Sequence, residues 1–214
     1  MSLISPLRTA LPSVAGSPAL TVGILALQGD VAEHEAMLCG LGASTVQVRR
    51  AEQLSGIDGL ILPGGESSVM DKLLRLFQMK QPLQERLSEG LPVLGTCAGL
   101  ILLADEIDGA IAGQETLGGL DVRVQRNAFG SQVESREESV AVAGIEGPPL
   151  NVAFIRAPIV TRVGDGVDVI ARLDSGDIVG VATPTMIGVS FHPEVSGDDR
   201  LHRLFLDKVA HGHQ

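Results

Sequence analysis

The most constraining feature of the chain is a pattern that repeats along it. A short run of apolar residues, typical of a buried strand, is followed by a segment whose apolar residues have the spacing of a helix. Thr21 to Leu27 is rich in aliphatic residues, and Val31 to Leu41 then carries apolar side chains at helix-like intervals. Two further short runs, Gly59 to Leu62 and Leu91 to Gly95, end at glycine-containing turns. This alternation predicts a mostly parallel sheet covered on both faces. We therefore expect an α/β fold, a three-layer α/β/α sandwich with a flavodoxin-like central sheet.

Helices are expected after the later runs and at the end of the chain. The spacing predicts them from about Val69 to Gln78, from Ala98 to Glu106 and from about Asp199 to Ala210. Ser68 and Asp71 resemble a capping box at the start of the first of these. The second half is richer in strands, which are predicted at Leu120 to Gln125, Val140 to Ala143, Val152 to Phe154, Val167 to Ala171, Ile178 to Ala182 and Ile187 to Phe191.

One domain with a short extension is expected. At 214 residues the chain is long for one domain and short for two, and no internal repeat is visible. Residues 1–20 hold one charged side chain, Arg8, and are broken by Pro and Gly, unlike a signal peptide. We expect a flexible extension at 1–20 and a single domain at 21–214. No apolar run reaches the ~18 residues that span a bilayer, so no membrane partner is expected.

Charge and cysteine usage exclude several classes of function. The net charge is −10, Lys and Arg do not cluster, and Trp and Tyr are absent, so nucleic acid is not an expected partner. Cys39 and Cys97 form no CxxC pair, which argues against a disulfide scaffold or a zinc site and favours a reducing cytoplasm. His34 begins a zinc-protease pattern, but Leu38 stands where its second histidine is required.

The candidate nucleophile is Cys97, at the centre of Gly-Thr-Cys-Ala-Gly. An apolar strand here turns directly into a helix, the arrangement of a nucleophile elbow. The flanking glycines remove side chains that would collide in such a turn, and the start of a helix favours a thiolate. A buried structural cysteine is the alternative, and the residues alone leave both open.

A base and its orienting group are predicted from His192-Pro193-Glu194, which follows an apolar run. A nucleophilic cysteine needs a histidine to accept its proton, and a carboxylate fixes the tautomer of that histidine. By itself the tripeptide is often only a loop. Its significance comes from the cysteine elbow in the same chain.

Three further segments are candidates for substrate binding. Pro63 to Ser67 ends a strand with two glycines, and their backbone N–H groups are able to approach a developing oxyanion. Arg126 and Arg156 follow β-rich segments, where either would pair with a substrate carboxylate. The alternatives are an ordinary glycine turn and two solvated charges.

Together, these segments resemble one family, the glutaminase subunits of pyridoxal 5′-phosphate synthase, within the class I glutamine amidotransferases. The resemblance runs from about Thr21 to Ala210. Its LQG, RNxFG and FIRAP elements separate this family from other amidotransferases. The matching motifs are GILALQGDVAEH, GLILPGGESSVM, LPVLGTCAGLILLA, QRNAFGSQVES, FIRAPIV and GVSFHPE.

The resemblance implies hydrolysis of L-glutamine to L-glutamate and ammonia by a triad. Cys97 would be the nucleophile, His192 the general base and acid, and Glu194 its orienter. Backbone N–H groups of Gly65 and Ala98 would hold the oxyanion, and no metal or organic cofactor is implied. The implied glutamine site comprises Gly65, Glu66, Ser67, Arg126, Ile155 and Arg156.

The resemblance also implies a partner. In this family ammonia passes to a barrel-shaped synthase (lyase) subunit in a large hetero-oligomer that makes pyridoxal 5′-phosphate. Gln28 and Gly29 are similar to a segment near the interface and the oxyanion site, so we expect them to couple docking to activity. Three alternatives remain: an amidotransferase subunit of another synthase, a catalytically silent scaffold, and a cysteine hydrolase of peptides or small thiol-reactive substrates.

Overall fold

A computed structural model describes residues 20–128 and 136–212. The predicted extension, apart from Leu20, and the part of the QRNAFGSQVES motif beyond residue 128 lie outside these described residues. The division into an extension and a single domain stays a prediction. In the described part of the chain, no helix has the length and apolar character needed to cross a bilayer.

Six α-helices and twelve strands are present in the described ranges. The helices are α1 (Val31–Gly40), α2 (Ser67–Leu76), α3 (Lys80–Ser88), α4 (Ala98–Leu103), α5 (Pro193–Ser196) and α6 (Arg200–His211), with a 3-10 turn at Ala51–Leu54. The strands are β1 (Thr21–Leu25), β2 (Ser44–Val48), β3 (Gly59–Leu62), β4 (Val93–Thr96), β5 (Ala104–Asp108), β6 (Leu120–Gln125), β7 (Arg136–Val140), β8 (Leu150–Phe154), β9 (Ile159–Val163), β10 (Asp168–Arg172), β11 (Ile178–Ala182) and β12 (Met186–Val189).

The central sheet has ten strands, in the order β2-β1-β3-β4-β12-β11-β9-β6-β5, with β10 paired to β11. The first five are parallel neighbours. Their order matches the 2-1-3-4-5 order of flavodoxin-like sheets, with β12 in fifth place. The strands after β12 pair antiparallel, apart from β5 with β6. β7 and β8 form a separate hairpin pair. The predicted α/β fold with a mostly parallel, flavodoxin-like sheet is confirmed.

Alternation along the central strands builds one apolar core on each face of the sheet. On β3, Leu60 and Leu62 join the core beneath α2, α3 and α4, whereas Ile61 joins the opposite core beneath α1 and α6. On β4, Val93 and Leu94 divide in the same way. Successive strand residues point to opposite faces, so continuous apolar runs are needed wherever both faces are covered by helices.

Two helix predictions need correction. The predicted capping box at Ser68 and Asp71 is wrong: α2 begins at Ser67, and the Glu66 carboxylate accepts hydrogen bonds from the backbone N–H and the hydroxyl of Ser68. The helix predicted to reach Glu106 ends at Leu103, because Ala104 to Asp108 pair with β6.

Helix α3 was not predicted. Its Pro82 lies in the first turn, where proline is tolerated.

The close approach of α4 to β3 depends on Gly99. A Cβ atom at this position would lie 2.0 Å from the carbonyl oxygen of Leu62, which is backbone and cannot rotate away. A Cβ on Gly95 would lie 2.7 Å from the carbonyl carbon of Gly99. The two glycines that flank the cysteine therefore let the helix begin directly against the end of the strand.

We expect Gly99→Ala to lower the free energy of unfolding by about 3 kcal/mol, since the new methyl group forces α4 away from β3. Urea unfolding measures this change. Gly40→Ala is the matched control, because nothing lies within 4 Å of its added Cβ atom. Equal stabilities for the two variants would contradict this account of the glycine.

Candidate active site

One cleft of about 240 Å³ lies at the carboxyl ends of β1, β3, β4 and β12. Ligands of open parallel sheets bind at this edge, where the loops after neighbouring strands converge. Its volume suits a molecule smaller than the drug-sized ligands of pockets of ~300–1,000 Å³. The lining residues are Gln28, Asp30, Gly65, Glu66, Ser67, Cys97, Ile101, Arg126, Asn127, Ile155, Arg156 and His192.

Cys97 joins β4 to α4 in a strained backbone conformation, with φ 46° and ψ −98°. Its N–H donates to the carbonyl oxygen of Val189 at 2.8 Å, which ties the turn to β12. Its Sγ atom lies 3.9 Å from the carbonyl oxygen of Ile155. The residue is 5% exposed, so its sulfur meets the cleft and little else. This is the sharp strand-to-helix turn of a nucleophile elbow.

The His192 ring is held by two carboxylates at one nitrogen. Its Nδ1 atom lies 2.8 Å from Oε1 of Glu194 and 3.2 Å from Oδ2 of Asp30. Burial alone would lower the pKa of His192, but hydrogen bonds to Asp30, to the Cys97 sulfur and to Glu194 outweigh it and raise that pKa well above 6.5. The imidazolium form is therefore favoured beside the cysteine.

Glu194 lies behind His192, with its side chain fully buried. Burial raises the pKa of this carboxyl above its usual value, and the hydrogen bond to His192 opposes the shift. A carboxylate held in this way fixes both the plane and the tautomer of its histidine, which leaves Nε2 to exchange protons.

Two more histidines are buried behind His192 and Glu194. His34 on α1 and His202 on α6 are both 0% exposed, and Nδ1 of His34 lies 2.9 Å from Nε2 of His202. Burial lowers the pKa of His34 well below 6.5, and the nearby His202 and His192 add to the shift. Burial likewise lowers the pKa of His202 to about 4. Both rings are therefore neutral at pH 7.

A polar network lines the opposite wall of the cleft. Arg126 donates to Oε1 of Glu66 and to Oε1 of Gln114, both at 2.7 Å. Gln114 in turn donates to the hydroxyl of the buried Ser67 at 3.1 Å. The guanidinium is thus fixed while it borders the cleft, a preorganised site for a carboxylate.

The Gln28 to Asp30 segment packs directly on the glycine turn after β3. Oε1 of Gln28 accepts from the N–H of Glu66 at 2.8 Å, and the N–H of Asp30 donates to the carbonyl oxygen of Gly64 at 3.1 Å. A Cβ atom on Gly29 would lie 1.8 Å from that same carbonyl oxygen. The segment and the glycine turn are therefore in direct contact through side-chain and backbone atoms.

Comparison of the sequence with known proteins identifies the family of the chain. Residues 24–211 match the SNO glutamine amidotransferase family. The chain belongs to this family. A pyridoxal 5′-phosphate synthase subunit PdxT of Kineococcus radiotolerans is 55% identical over 90% of this chain and 96% of its own length. A second protein of that name, from Clavibacter michiganensis, is 56% identical over 88% of this chain and 90% of its own length.

Solved structures agree with the fold of this SNO-family chain. A glutamine amidotransferase crystal structure is 46% identical, with a TM-score of 0.82 over 88% of this chain and 98% of the other. A chain of PurLQS from Thermotoga maritima shares 15% identity, with a TM-score of 0.65 over 92% of this chain and 99% of the other. The second likeness concerns the fold alone.

Most of the predicted site residues meet in this cleft. Among those that do not line it, Glu194 lies behind His192, Ala98 is the first residue of α4, and Gly29 packs on the glycine turn. The predicted residues that line the cleft are Gln28, Gly65, Glu66, Ser67, Cys97, Arg126, Ile155, Arg156 and His192.

Sequence reasoning missed several residues of the site. Asp30, Ile101 and Asn127 also line the cleft, and Gln114 holds Arg126. Asp30 lies inside the GILALQGDVAEH motif, so the motif was a usable signal for it. Gln114 lies in an irregular stretch without any pattern, and only its contacts reveal its place.

One group of side chains has the spacing of metal ligands. Asp30, His192 and Glu194 offer ligand atoms within 4.8 Å of one another. In the described ranges these atoms are already engaged in hydrogen-bond contacts between the ring and the two carboxylates. The expected absence of a metal stays a prediction.

We expect the free energy of unfolding of Cys97→Gly to be about 1 kcal/mol higher than that of Cys97→Ala, because only glycine adopts this positive φ without strain. Urea unfolding of the two variants measures the difference. In an unstrained helix the same pair would differ in the opposite sense. A more stable alanine variant would therefore contradict a strained elbow.

We also expect stability to fall as the pH is lowered from about 6.5 to about 4, by about 3 kcal/mol from His202 alone. The unfolded chain takes up a proton below pH 6.5, whereas the buried His202 does not until about pH 4, so acid favours unfolding. His202→Leu should flatten the decline measured by urea unfolding across this range. His211→Gln, at the exposed end of the same helix, should retain it. Parallel curves for all three proteins would refute the assignment.

Proposed function

We propose that this chain hydrolyses L-glutamine to L-glutamate and ammonia as the glutaminase subunit of a pyridoxal 5′-phosphate synthase. The observation that carries the proposal is the strained Cys97 elbow, which shares a cleft with a histidine whose Nδ1 is held by Glu194. Membership of a glutamine amidotransferase family and close relatives named as synthase subunits support it.

The reaction begins with the Cys97 proton already on Nε2 of His192, whose imidazolium form is favoured. The thiolate attacks the side-chain amide carbon of glutamine, and the C–S bond forms as the carbonyl π electrons move to oxygen. Backbone N–H groups of Gly65 and Ala98 stabilise this oxyanion. His192 then protonates the leaving nitrogen, the C–N bond breaks, and ammonia departs from a thioester.

Water completes the cycle. His192 takes a proton from a water molecule, which attacks the thioester carbon and forms a second tetrahedral intermediate. Collapse of this intermediate breaks the C–S bond and releases glutamate, whose new carboxyl group loses its proton to water, and the Cys97 thiolate and the His192 imidazolium are restored. The carboxylate of Glu194 keeps the ring in one tautomer through both proton transfers.

The polar wall of the cleft selects glutamine. Arg126 and Arg156 line the cleft where the α-carboxylate of the substrate would lie, and the Glu66 carboxylate offers a partner for the α-ammonium group. Gly65, Ser67 and Ile155 complete the binding surface. A substrate that carries both charges next to a side-chain amide matches this set of residues better than a peptide does.

Ammonia then passes to a barrel-shaped lyase subunit within a large hetero-oligomer, since ammonia released into water at neutral pH becomes the non-nucleophilic ammonium ion. Gln28 and Gly29 couple docking of this partner to the oxyanion site, because they contact the glycine turn after β3. A free thiol nucleophile needs reducing conditions, so the proposal places the enzyme in the cytoplasm.

The deciding experiment measures glutamate release from glutamine by the wild-type chain, Cys97→Ala and Cys39→Ala, each with and without the synthase subunit. We expect release by the wild type that depends on the synthase, and a loss of at least about a thousandfold in Cys97→Ala. Cys39 is the exposed second thiol and the matched control, so Cys39→Ala should keep wild-type activity.

The alternatives predict different outcomes. A silent scaffold would bind the synthase without releasing glutamate, and Cys97→Ala would then behave as the wild type. A subunit of another synthase would not bind the pyridoxal 5′-phosphate synthase barrel. A peptide hydrolase would be indifferent to glutamine.

A further inference from the structure

The triad carboxylate has one oxygen without an assigned role. Oε1 of Glu194 contacts His192, but Oε2 is buried and has no hydrogen-bond partner among the described residues. A buried carboxylate oxygen is stabilised when a donor faces it. A buried ring nitrogen, Nε2 of His34, lies 3.7 Å from Oε2.

His34 is fixed by residues from two other parts of the fold. Its Nδ1 atom lies 2.9 Å from Nε2 of His202 on α6, and its Nε2 atom lies 3.3 Å from Oγ1 of Thr96 at the end of β4. All three side chains are buried. The ring therefore has one orientation, and that orientation presents Nε2 to the carboxylate.

The nearby carboxylate favours one tautomer of His34. If Nδ1 carried the hydrogen, the Thr96 hydroxyl would have to donate to Nε2, and the lone pair of Nε2 would still lie 3.7 Å from the acceptor Oε2 of Glu194 in a buried site. If Nε2 carries the hydrogen, it points toward the carboxylate while Nδ1 accepts from Nε2–H of His202. In the second arrangement the Nε2 hydrogen lies between Oγ1 of Thr96 and Oε2 of Glu194, both of which are able to accept it, so no acceptor faces the carboxylate.

The charge of the His34 ring also determines how it acts on Glu194. Burial and the neighbouring His202 and His192 keep the pKa of His34 low, so it supplies an N–H dipole and no second positive charge. The charges that face the carboxylate are then the imidazolium of His192 and, across it, the carboxylate of Asp30. A charged His34 would compete with His192 for Glu194.

We propose that His34 is a positioning residue that directs its Nε2 hydrogen at Oε2 of Glu194 and so fixes the carboxylate that orients His192. The inference rests on the proposed glutaminase function. The 3.7 Å separation is longer than a hydrogen bond, and we expect it to shorten when glutamine and the synthase are bound, as catalytic contacts commonly do.

The test compares two amide substitutions of similar polarity in the complex with the synthase. In His34→Gln the amide nitrogen reaches the place of Nε2, whereas in His34→Asn it reaches only the place of Nδ1. We expect kcat for glutamate release to fall about 10- to 100-fold in His34→Asn and to stay within about threefold of the wild type in His34→Gln, with KM little changed in both. Equal kcat values for the two variants would overturn the proposal.

The pH profile is a second readout, and a loss of packing alone would not move it. Without the His34 donor, the ionised form of Glu194 is less stable, so its pKa rises further. The acidic limb of the kcat profile should therefore move to higher pH in His34→Asn but not in His34→Gln. Leu38→Ala, a buried substitution on the same helix, is the control for lost packing and should leave the limb in place.

A measurement on the unmodified chain keeps the proposal testable if the variants fold poorly. Nitrogen-15 NMR of the five histidine rings reports the tautomer of each. We expect His34 to carry its hydrogen on Nε2 at pH 7, and a hydrogen on Nδ1 would refute the inference. If the wild-type complex released no glutamate, the glutaminase proposal would fail, whereas the tautomer would still decide the role of His34.

Discussion

The contact between the start of α4 and the end of β3 determines how the site is assembled. Gly99 allows the helix to lie against the Leu62 carbonyl, so the chain must pass from β4 into α4 within one residue. That residue is Cys97, whose positive φ is sustained by its hydrogen bond to β12 and by a helix that is buried along its whole length. Strain at one residue is thus supported by packing around it. The sulfur consequently faces the loops after both neighbouring strands.

The parts of the structure that the sequence predicts are those encoded by local patterns. The strand at Gly59 to Leu62 has the predicted bounds, because a fully apolar run between turn residues has few other solutions. The meeting of Cys97 with His192 follows from sheet geometry, since β4 and β12 are parallel neighbours and both residues come after strand ends. Family motifs add the six expected glutamine-binding residues, all of which line the cleft.

What the sequence does not predict depends on contacts between distant segments. His34 and His202 are 168 residues apart and come together only because α1 and α6 cover the same face of the sheet. Strand β5 replaces the end of a predicted helix because β6, further along the chain, offers it hydrogen bonds. The predicted cap of α2 is wrong for a local reason. The cap lies at Glu66 and not at Ser68, and helix starts are uncertain by about one or two residues when they are predicted from sequence.

The two carboxylates at His192 have unequal environments, and this difference separates their roles. Glu194 is fully buried and 2.8 Å from Nδ1, so its interaction is weakly screened. Asp30 is 3.2 Å from the same atom, but its side chain is 37% exposed, so water weakens its effect. Asp30 also lies on the segment that packs on the glycine turn, next to Gln28. Glu194 therefore makes the better-shielded contact with the ring, whereas Asp30 connects the ring to the segment that contacts the glycine turn.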